Sequence, residues 1–173
     1  MIYIPIAAIS HSFIDYPSPE NCTTIYTVGC KFNCEGCHNS SLFENKGFPK
    51  FNMKSMIKVL KKFAIKHRTN NICIMGGEPL LDTNIKFVSK LTRILTKKGF
   101  NICIYTGETV ENVKLLVKKY NIKFEYIKIG RYVKKKKQTP EKTDEKFVLA
   151  STNQTIFNNN FEQLTHEGIL TFN

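Results

Sequence analysis

Three closely spaced cysteines near the start of this 173-residue chain have the chemistry of metal ligands. Cys30, Cys34 and Cys37 follow a Cys-x3-Cys-x2-Cys spacing. Thiolates are soft ligands that suit iron–sulfur clusters and zinc, and a [4Fe–4S] cluster usually takes four of them, one for each iron. Three cysteines in one short loop would bind three irons and leave the fourth open to water or substrate. The spacing therefore favours an open [4Fe–4S] site.

A zinc site and three unconnected thiols are the alternatives for these cysteines. Structural zinc normally has four Cys or His ligands in a closed tetrahedron. His38 directly follows Cys37, and this adjacency makes it a poor fourth ligand in the same tetrahedron. The spacing favours the cluster but leaves both alternatives open.

A Gly-Gly-Glu-Pro segment is the second chemical pattern. Residues 71–75 are predicted to form a short buried strand, and Gly76, Gly77 and Glu78 follow its carboxyl end. Glycine allows positive φ and lets a small molecule lie against the backbone, and a carboxylate can accept hydrogen bonds from a ligand ammonium group. We expect a ligand site here. A plain strand-to-helix turn, which also uses glycine and proline, is the alternative.

The two patterns together, in this order and about forty residues apart, resemble the radical S-adenosylmethionine family. Three further segments are similar to the opening of the glycyl-radical-enzyme activases within that family. They are residues 12–17 (Ser-Phe-Ile-Asp-Tyr-Pro), 25–30 (Ile-Tyr-Thr-Val-Gly-Cys) and 37–42 (Cys-His-Asn-Ser-Ser-Leu).

The resemblance implies a radical-generating oxidoreductase. Cys30, Cys34 and Cys37 would bind the cluster, and its open iron would bind the amino and carboxylate groups of S-adenosylmethionine. In this family an electron from the reduced cluster breaks the sulfur–C5′ bond and yields methionine and a 5′-deoxyadenosyl radical. No catalytic residue is expected beyond the cluster and its bound cofactor, because the radical chemistry belongs to them.

The resemblance also implies where the protein contacts S-adenosylmethionine. The Gly-Gly-Glu residues at 76–78 would hold the methionine amino end. Thr106 and Gly107, which follow a later predicted strand, would contact the adenosyl part.

Two later segments resemble those of activases that act on anaerobic ribonucleoside-triphosphate reductase: residues 129–132 (Ile-Gly-Arg-Tyr) and 151–154 (Ser-Thr-Asn-Gln). They imply that the radical passes to a glycine on the large subunit of this class III reductase. The family also implies reduced flavodoxin or a ferredoxin-type protein as electron donor. Activation of a formate-lyase type of glycyl-radical enzyme is the alternative, because the opening motifs are shared. Outside enzymes, the alternative is an iron–sulfur electron carrier or sensor, which would need no methionine-binding site.

Composition is consistent with a single domain spanning residues 1–173. A chain of this length should bury about 70% of its unfolded surface, enough for a core. Residues 1–9 form the longest apolar stretch, too short for a membrane span of about 20 residues. Six cysteines without an export signal indicate thiols or metal ligands rather than disulfides. We therefore expect a cytoplasmic protein without membrane binding.

The formal net charge is +12, and most lysines are spread over predicted helices. Residues 131–146 contain seven basic and three acidic residues, and clustered like charges resist packing, so we expect a solvated basic loop. The chain has no helix-turn-helix or zinc-finger signature, and no dedicated nucleic-acid binding is expected. We also treat residues 1–21 as an N-terminal extension and residues 158–173 as a polar tail.

Strands and helices are predicted to alternate around these motifs. The predicted strands cover residues 23–28, 71–75, 101–105 and 124–129. The predicted helices run from Asn52 as N-cap to about His67, from Asp82 as cap to a stop at Gly99, and from about Thr109 to Lys119.

This alternation predicts an α/β fold. Strand–helix–strand connections of this length form right-handed units with a parallel sheet, and active sites collect at the carboxyl ends of its strands. The resemblance implies a partial, open (β/α) barrel of the radical S-adenosylmethionine type with a mainly parallel sheet. Cys22, Cys73 and Cys103 fall at or within predicted strands, where free cysteine packs as a small hydrophobe.

Overall fold

A computed structural model gives the structure of residues 3–44 and 46–172. The helices are α1 (Met53–His67), α2 (Asp82–Thr96) and α3 (Val110–Tyr120). The strands are β1 (Tyr3–Ser12), β2 (Cys22–Thr27), β3 (Lys50–Asn52), β4 (Asn71–Gly76), β5 (Asn101–Thr106), β6 (Tyr126–Ile129), β7 (Glu141–Lys142), β8 (Lys146–Val148), β9 (Thr155–Asn158) and β10 (Ile169–Thr171).

The central sheet has the strand order β3-β1-β2-β4-β5-β6-β9. Strands β2, β4, β5 and β6 run parallel to one another. The flanking strands are antiparallel to their neighbours, β1 to both β2 and β3, and β9 to β6. A second, antiparallel sheet has the order β10-β8-β7. The predicted α/β class with an open, mainly parallel sheet is confirmed.

Side-chain caps explain where two of the helices begin. Asn52 accepts a hydrogen bond from the Ser55 N–H at the start of α1, and Thr109 accepts one from the Asn112 N–H at the start of α3. The prediction of Asp82 as the cap of α2 is wrong. Asp82 is already helical, Leu81 precedes the helix, and the carboxylate in the first turn suits the positive end of the helix dipole.

The main hydrophobic core lies between the three helices and one face of the central sheet. Alternation along each strand sends one set of side chains to this face, including Ile72 and Ile74 of β4. The opposite face carries Cys22, Cys73 and Cys103, which pack around Tyr16. All three thiols are fully buried, and their predicted role in packing is confirmed. This second face is the one that carries the cavity described below.

The ends of the chain are more ordered than the sequence predicts. Strand β1 lies inside the segment predicted to be an extension, and Ile4 and Ile6 are buried in the main core. The tail also folds back, since β10 pairs with β8 and the Thr165 hydroxyl accepts a hydrogen bond from the Ile156 N–H. Strand β1 pairs with the next strand, β2, and with β3, and β10 pairs with β8 across an irregular segment; such pairings are not visible in local sequence patterns.

Within residues 3–44 and 46–172, no helix is both long and apolar enough to cross a lipid bilayer.

Candidate active site

A cavity of about 390 Å³ opens at the carboxyl ends of the parallel strands. The structure brings all of the predicted site residues to this cavity, which is lined by Cys30, Cys34, Cys37, Gly76, Gly77, Glu78, Thr106 and Gly107. They come from the segment after β2 and from the ends of β4 and β5. This is the edge at which parallel α/β sheets bind their ligands.

Residues 30–38, which we call the cluster loop, leave the central sheet directly after β2. Backbone hydrogen bonds to the segment that follows fix the start of the loop: the Gly29 N–H donates to Leu42 O over 2.8 Å and the Cys30 N–H to Phe43 O over 3.2 Å. The three cysteines are free thiols, each partly exposed. The loop therefore presents its sulfurs to the cavity from an anchored base.

The surroundings of Cys30 are those of a metal-binding thiolate. Burial raises the pKa of Cys30, while backbone N–H groups of Phe32 and Asn33 oppose the rise by donating to its sulfur, as outer partners of a metal-binding thiolate do. In the described residues no three Cys, His, Asp or Glu side chains converge as a single-ion site requires. A cubane takes one thiolate for each of several irons, so it needs no such convergence.

The two glycines of the Gly-Gly-Glu-Pro segment are required by close backbone contacts. A Cβ on Gly76 would lie 2.7 Å from Thr27 O, and one on Gly77 would lie 2.4 Å from Gly29 O. Gly76 also has φ of +105°, which side chains rarely adopt. The positive φ expected of this segment is found at Gly76, and the absent Cβ atoms make room for the backbone at the end of β2; the expected contact with a ligand stays a prediction. Both residues nevertheless line the cavity.

Glu78 joins the ends of β4 and β5. Its side chain is 1% exposed, and its Oε1 accepts hydrogen bonds from the Leu80 N–H and the Thr106 hydroxyl. Its Oε2 accepts one from the Gly107 N–H at 2.9 Å. Burial raises the pKa of Glu78, and these donors oppose the rise. The predicted methionine-binding and adenosyl-binding residues are therefore parts of one hydrogen-bonded unit.

Lys128 is a site residue that sequence reasoning missed. This lysine of β6 is 8% exposed, lines the cavity, and donates to Gly130 O over 3.2 Å. Burial lowers its pKa, and the nearby Glu78 carboxylate opposes that change. The sequence did contain a signal for this residue. Strands of a parallel sheet are usually buried on both faces, and lysine is almost never fully buried unless it is paired, so a lysine within such a strand indicates a functional position. A cation in this position suits an anionic ligand group.

Asp15 is a second missed residue on the cavity wall. Its carboxylate accepts a hydrogen bond from the Thr24 hydroxyl at 3.0 Å, and its backbone carbonyl accepts one from the Tyr105 hydroxyl at 3.0 Å. The cavity therefore has an acidic wall on the side of residues 13–16 and a basic one at β6.

Comparisons with known proteins agree with this geometry. A family model described as a 4Fe-4S single cluster domain matches residues 21–157. The anaerobic ribonucleoside-triphosphate reductase-activating protein of Enterobacteria phage T4 is 29% identical over 150 residues, which are 84% of this chain and 89% of that protein. The resemblance to glycyl-radical-enzyme activases predicted from the motifs is confirmed.

Two further proteins match this chain over a smaller share of their own length. A Methanocaldococcus jannaschii protein, provisionally named a glycyl-radical enzyme activating enzyme, is 27% identical over 94 residues, 54% of this chain and 34% of that protein. The crystal structure of QueE from Escherichia coli matches 61% of this chain and 53% of its own, with a TM-score of 0.48 and 20% identity.

Proposed function

The chain belongs to the 4Fe-4S single cluster domain family, and on this basis we propose that it is an iron–sulfur enzyme that cleaves S-adenosylmethionine. We assign Cys30, Cys34 and Cys37 as the ligands of one [4Fe–4S] cluster. The observation that carries this proposal is that the three cysteines and the Gly-Gly-Glu segment, far apart in sequence, line a single cavity. An electron carrier or sensor has no need of such a cavity beside its cluster.

When bound, a reduced cluster would supply the electron that cleaves S-adenosylmethionine, and the resulting radical would remove a hydrogen atom from a glycine of a partner protein. The protein binds and orients the two groups. The three thiolates leave one ligand position for S-adenosylmethionine, and the cavity volume falls within the range of small-molecule sites, about 300–1,000 Å³.

Charged and polar groups of the cavity suit the two ends of S-adenosylmethionine. Lys128 can pair with the methionine carboxylate, since its ammonium group is largely removed from water. Glu78 Oε2 accepts one hydrogen bond, from Gly107, and retains acceptor capacity for the methionine ammonium group. Thr106 and Gly107, on the neighbouring strand end, are our candidates for the adenosyl contact.

We propose that the partner is the large subunit of an anaerobic ribonucleoside-triphosphate reductase. The phage T4 relative, matched over 84% of this chain, is named for the activation of that enzyme. The segments at 129–132 and 151–154 support the same choice. Reduced flavodoxin or a ferredoxin-type protein would be the electron donor.

Anaerobic reconstitution with iron and sulfide tests the ligand assignment. We expect one [4Fe–4S] cluster per chain, measured by iron and sulfide content and by electron paramagnetic resonance after reduction. Cys30→Ala, Cys34→Ala and Cys37→Ala should each lose the cluster. Cys22→Ala, Cys73→Ala and Cys103→Ala are matched controls that should keep it, with a loss of about 1 kcal/mol or somewhat more of folding stability. Full iron content in the first set, or iron loss in the second, contradicts the assignment.

Incubation with candidate partners tests the activity. The reconstituted chain, S-adenosylmethionine and a reductant should produce a glycyl radical signal on the anaerobic reductase, together with 5′-deoxyadenosine. A signal on a formate-lyase-type enzyme alone would favour that partner class. Cluster assembly without cleavage of S-adenosylmethionine would favour a carrier or sensor.

A further inference from the structure

The two segments that resemble the reductase activases, at 129–132 and 151–154, lie against each other in the structure. We call residues 130–137 the strap and residues 151–154 the brace. The strap follows β6 and crosses in front of the cluster loop, and the brace immediately precedes β9. Nothing in the proposed reaction accounts for their association.

Side chains of the brace satisfy backbone groups of the strap. The Asn153 side-chain amide donates to Arg131 O over 3.0 Å, and the Gln154 amide donates to Gly130 O over 3.3 Å. The Ser151 hydroxyl accepts a hydrogen bond from the Val133 N–H at 3.3 Å. Ser151 and Gln154 are both buried, and buried polar groups require such partners. The brace therefore fixes the path of the strap.

The strap in turn contacts the cluster loop. The Arg131 guanidinium lies 4.3 Å from the centre of the Phe32 ring. Lys134 forms an ion pair with Glu35 at 2.6 Å, but both side chains are largely exposed, and such pairs add little stability. The Arg131–Phe32 contact is the more substantial of the two, because Phe32 is partly buried and a cation over an aromatic face is attractive.

One edge of the Phe32 ring meets Gly107 at the end of β5. A Cβ on Gly107 would lie 2.6 Å from the Phe32 ring, so the ring occupies the space that only a glycine leaves free. The Gly107 N–H also donates to Glu78. Phe32 thus contacts both Arg131 of the strap and Gly107 of the cavity lining.

We infer that the brace is a positioning device for the cluster loop. Ser151, Asn153 and Gln154 fix the strap, Arg131 of the strap holds Phe32 against Gly107, and Phe32 sets the conformation in which the loop presents its cysteines. The device acts before any iron is bound, because all of its contacts are made within the protein. Its significance for iron binding rests on the proposed function.

Hydrogen–deuterium exchange of the iron-free chain tests the device directly. Asn153→Ala and Arg131→Gln should each speed amide exchange in residues 30–38 by about twofold to fivefold, the factor expected for losing a cation–π contact whose cation is exposed. Arg131→Lys, which keeps a cation, should restore part of the protection. Asn159→Ala and Lys135→Gln, both at exposed positions, are matched controls that should leave it unchanged. Unchanged exchange in Asn153→Ala and Arg131→Gln overturns the inference.

A double-substitution cycle tests the Phe32–Gly107 contact and does not depend on the brace variants. Gly107→Ala should displace Phe32 and speed exchange of the loop. In a Phe32→Ala chain the ring atoms nearest to the new methyl group are gone, and the same change should have less than about half of that effect, since only groups in contact couple in this way. Equal effects of Gly107→Ala in both chains would show that the alanine acts elsewhere, and would overturn the role given to Phe32.

Iron retention separates this inference from the proposed function. After reconstitution, Arg131→Gln and Phe32→Ala should lose iron to a chelator several-fold faster than the unsubstituted chain, and Phe32→Tyr should behave as the unsubstituted chain does. Iron loss at one common rate in all variants overturns the link between loop order and the cluster. Failure of the unsubstituted chain to take up iron would refute the proposed function, while the exchange results would still decide whether the device exists.

Discussion

Gly77→Ala is expected to lower the free energy of unfolding of the iron-free chain by about 3 kcal/mol or more, as overpacking against rigid groups does. The new Cβ would lie 2.4 Å from Gly29 O. Both groups are held, since the Gly77 N–H donates to Thr27 O and the Glu78 N–H donates to Gly29 O. Relief of the overlap must move the end of β4 away from the base of the cluster loop. Urea or thermal unfolding under anaerobic conditions measures the loss.

Gly99→Ala is the matched control for this substitution. Gly99 has φ of +80° with open space around its Cβ position, so alanine there should lower stability by only about 1 kcal/mol, through backbone conformation alone. Because Gly29 directly precedes Cys30, Gly77→Ala should also reduce iron uptake, whereas Gly99→Ala should not. Equal losses of stability in the two variants would show that the contact between Gly77 and Gly29 is not tight.

Glu78→Ala is expected to destabilise the chain by about 3 kcal/mol or more, because three donors lose their acceptor. The Leu80 N–H, the Thr106 hydroxyl and the Gly107 N–H all donate to this carboxylate. Glu78→Gln should be milder, since one oxygen remains and only part of the network lacks an acceptor. Chemical unfolding of the two variants measures the difference. A loss in Glu78→Ala below that of Glu78→Gln would show that the network is not stabilising.

The titration of Glu78 gives this comparison a pH dependence. Burial raises the pKa of Glu78 in the folded chain, so the folded state holds this proton to a higher pH than the unfolded state does. Stability contributed by the protonated carboxyl is present below the unfolded pKa, about 4.3, and falls as the pH rises toward the folded pKa. The stability of the wild type relative to Glu78→Gln should therefore decrease with pH over that interval. An increase would contradict the direction of the pKa shift.

The parts of the site that could be predicted are those encoded in short contiguous segments. The Cys-x3-Cys-x2-Cys spacing and the Gly-Gly-Glu-Pro segment each lie at the end of a predicted strand, and parallel strands bring such ends together. Helices α1 and α3 could also be predicted from the sequence, because a capping side chain and an apolar face are local features. The two motifs therefore predict where the cavity lies but not which other side chains line it.

The remaining parts depend on contacts between distant residues. Lys128 becomes a cavity residue only when β6 pairs with β5 and places it beside Tyr105. The position of the Phe32 ring explains why residue 107 is a glycine, but the two residues are far apart in sequence. In the sequence the brace is only a segment that resembles those of reductase activases. The structure shows that its side chains donate hydrogen bonds to the strap. Residues 131–146 were expected to form a solvated basic loop: Lys134–Lys137 are exposed, but Glu141 and Lys142 form β7, which pairs with β8.

The main hydrophobic core has a consequence for how the protein survives damage. No buried member of that core comes from residues 29–44 or 46–50, so the main core does not include the segment proposed to bind iron. Metal sites that hold a small domain together lose the fold when the metal leaves, whereas here oxidation of the iron centre would release iron from a body that stays folded. If the proposed cluster is bound there, the folded polypeptide would outlast its iron centre, and restoring it would require only fresh iron and sulfide.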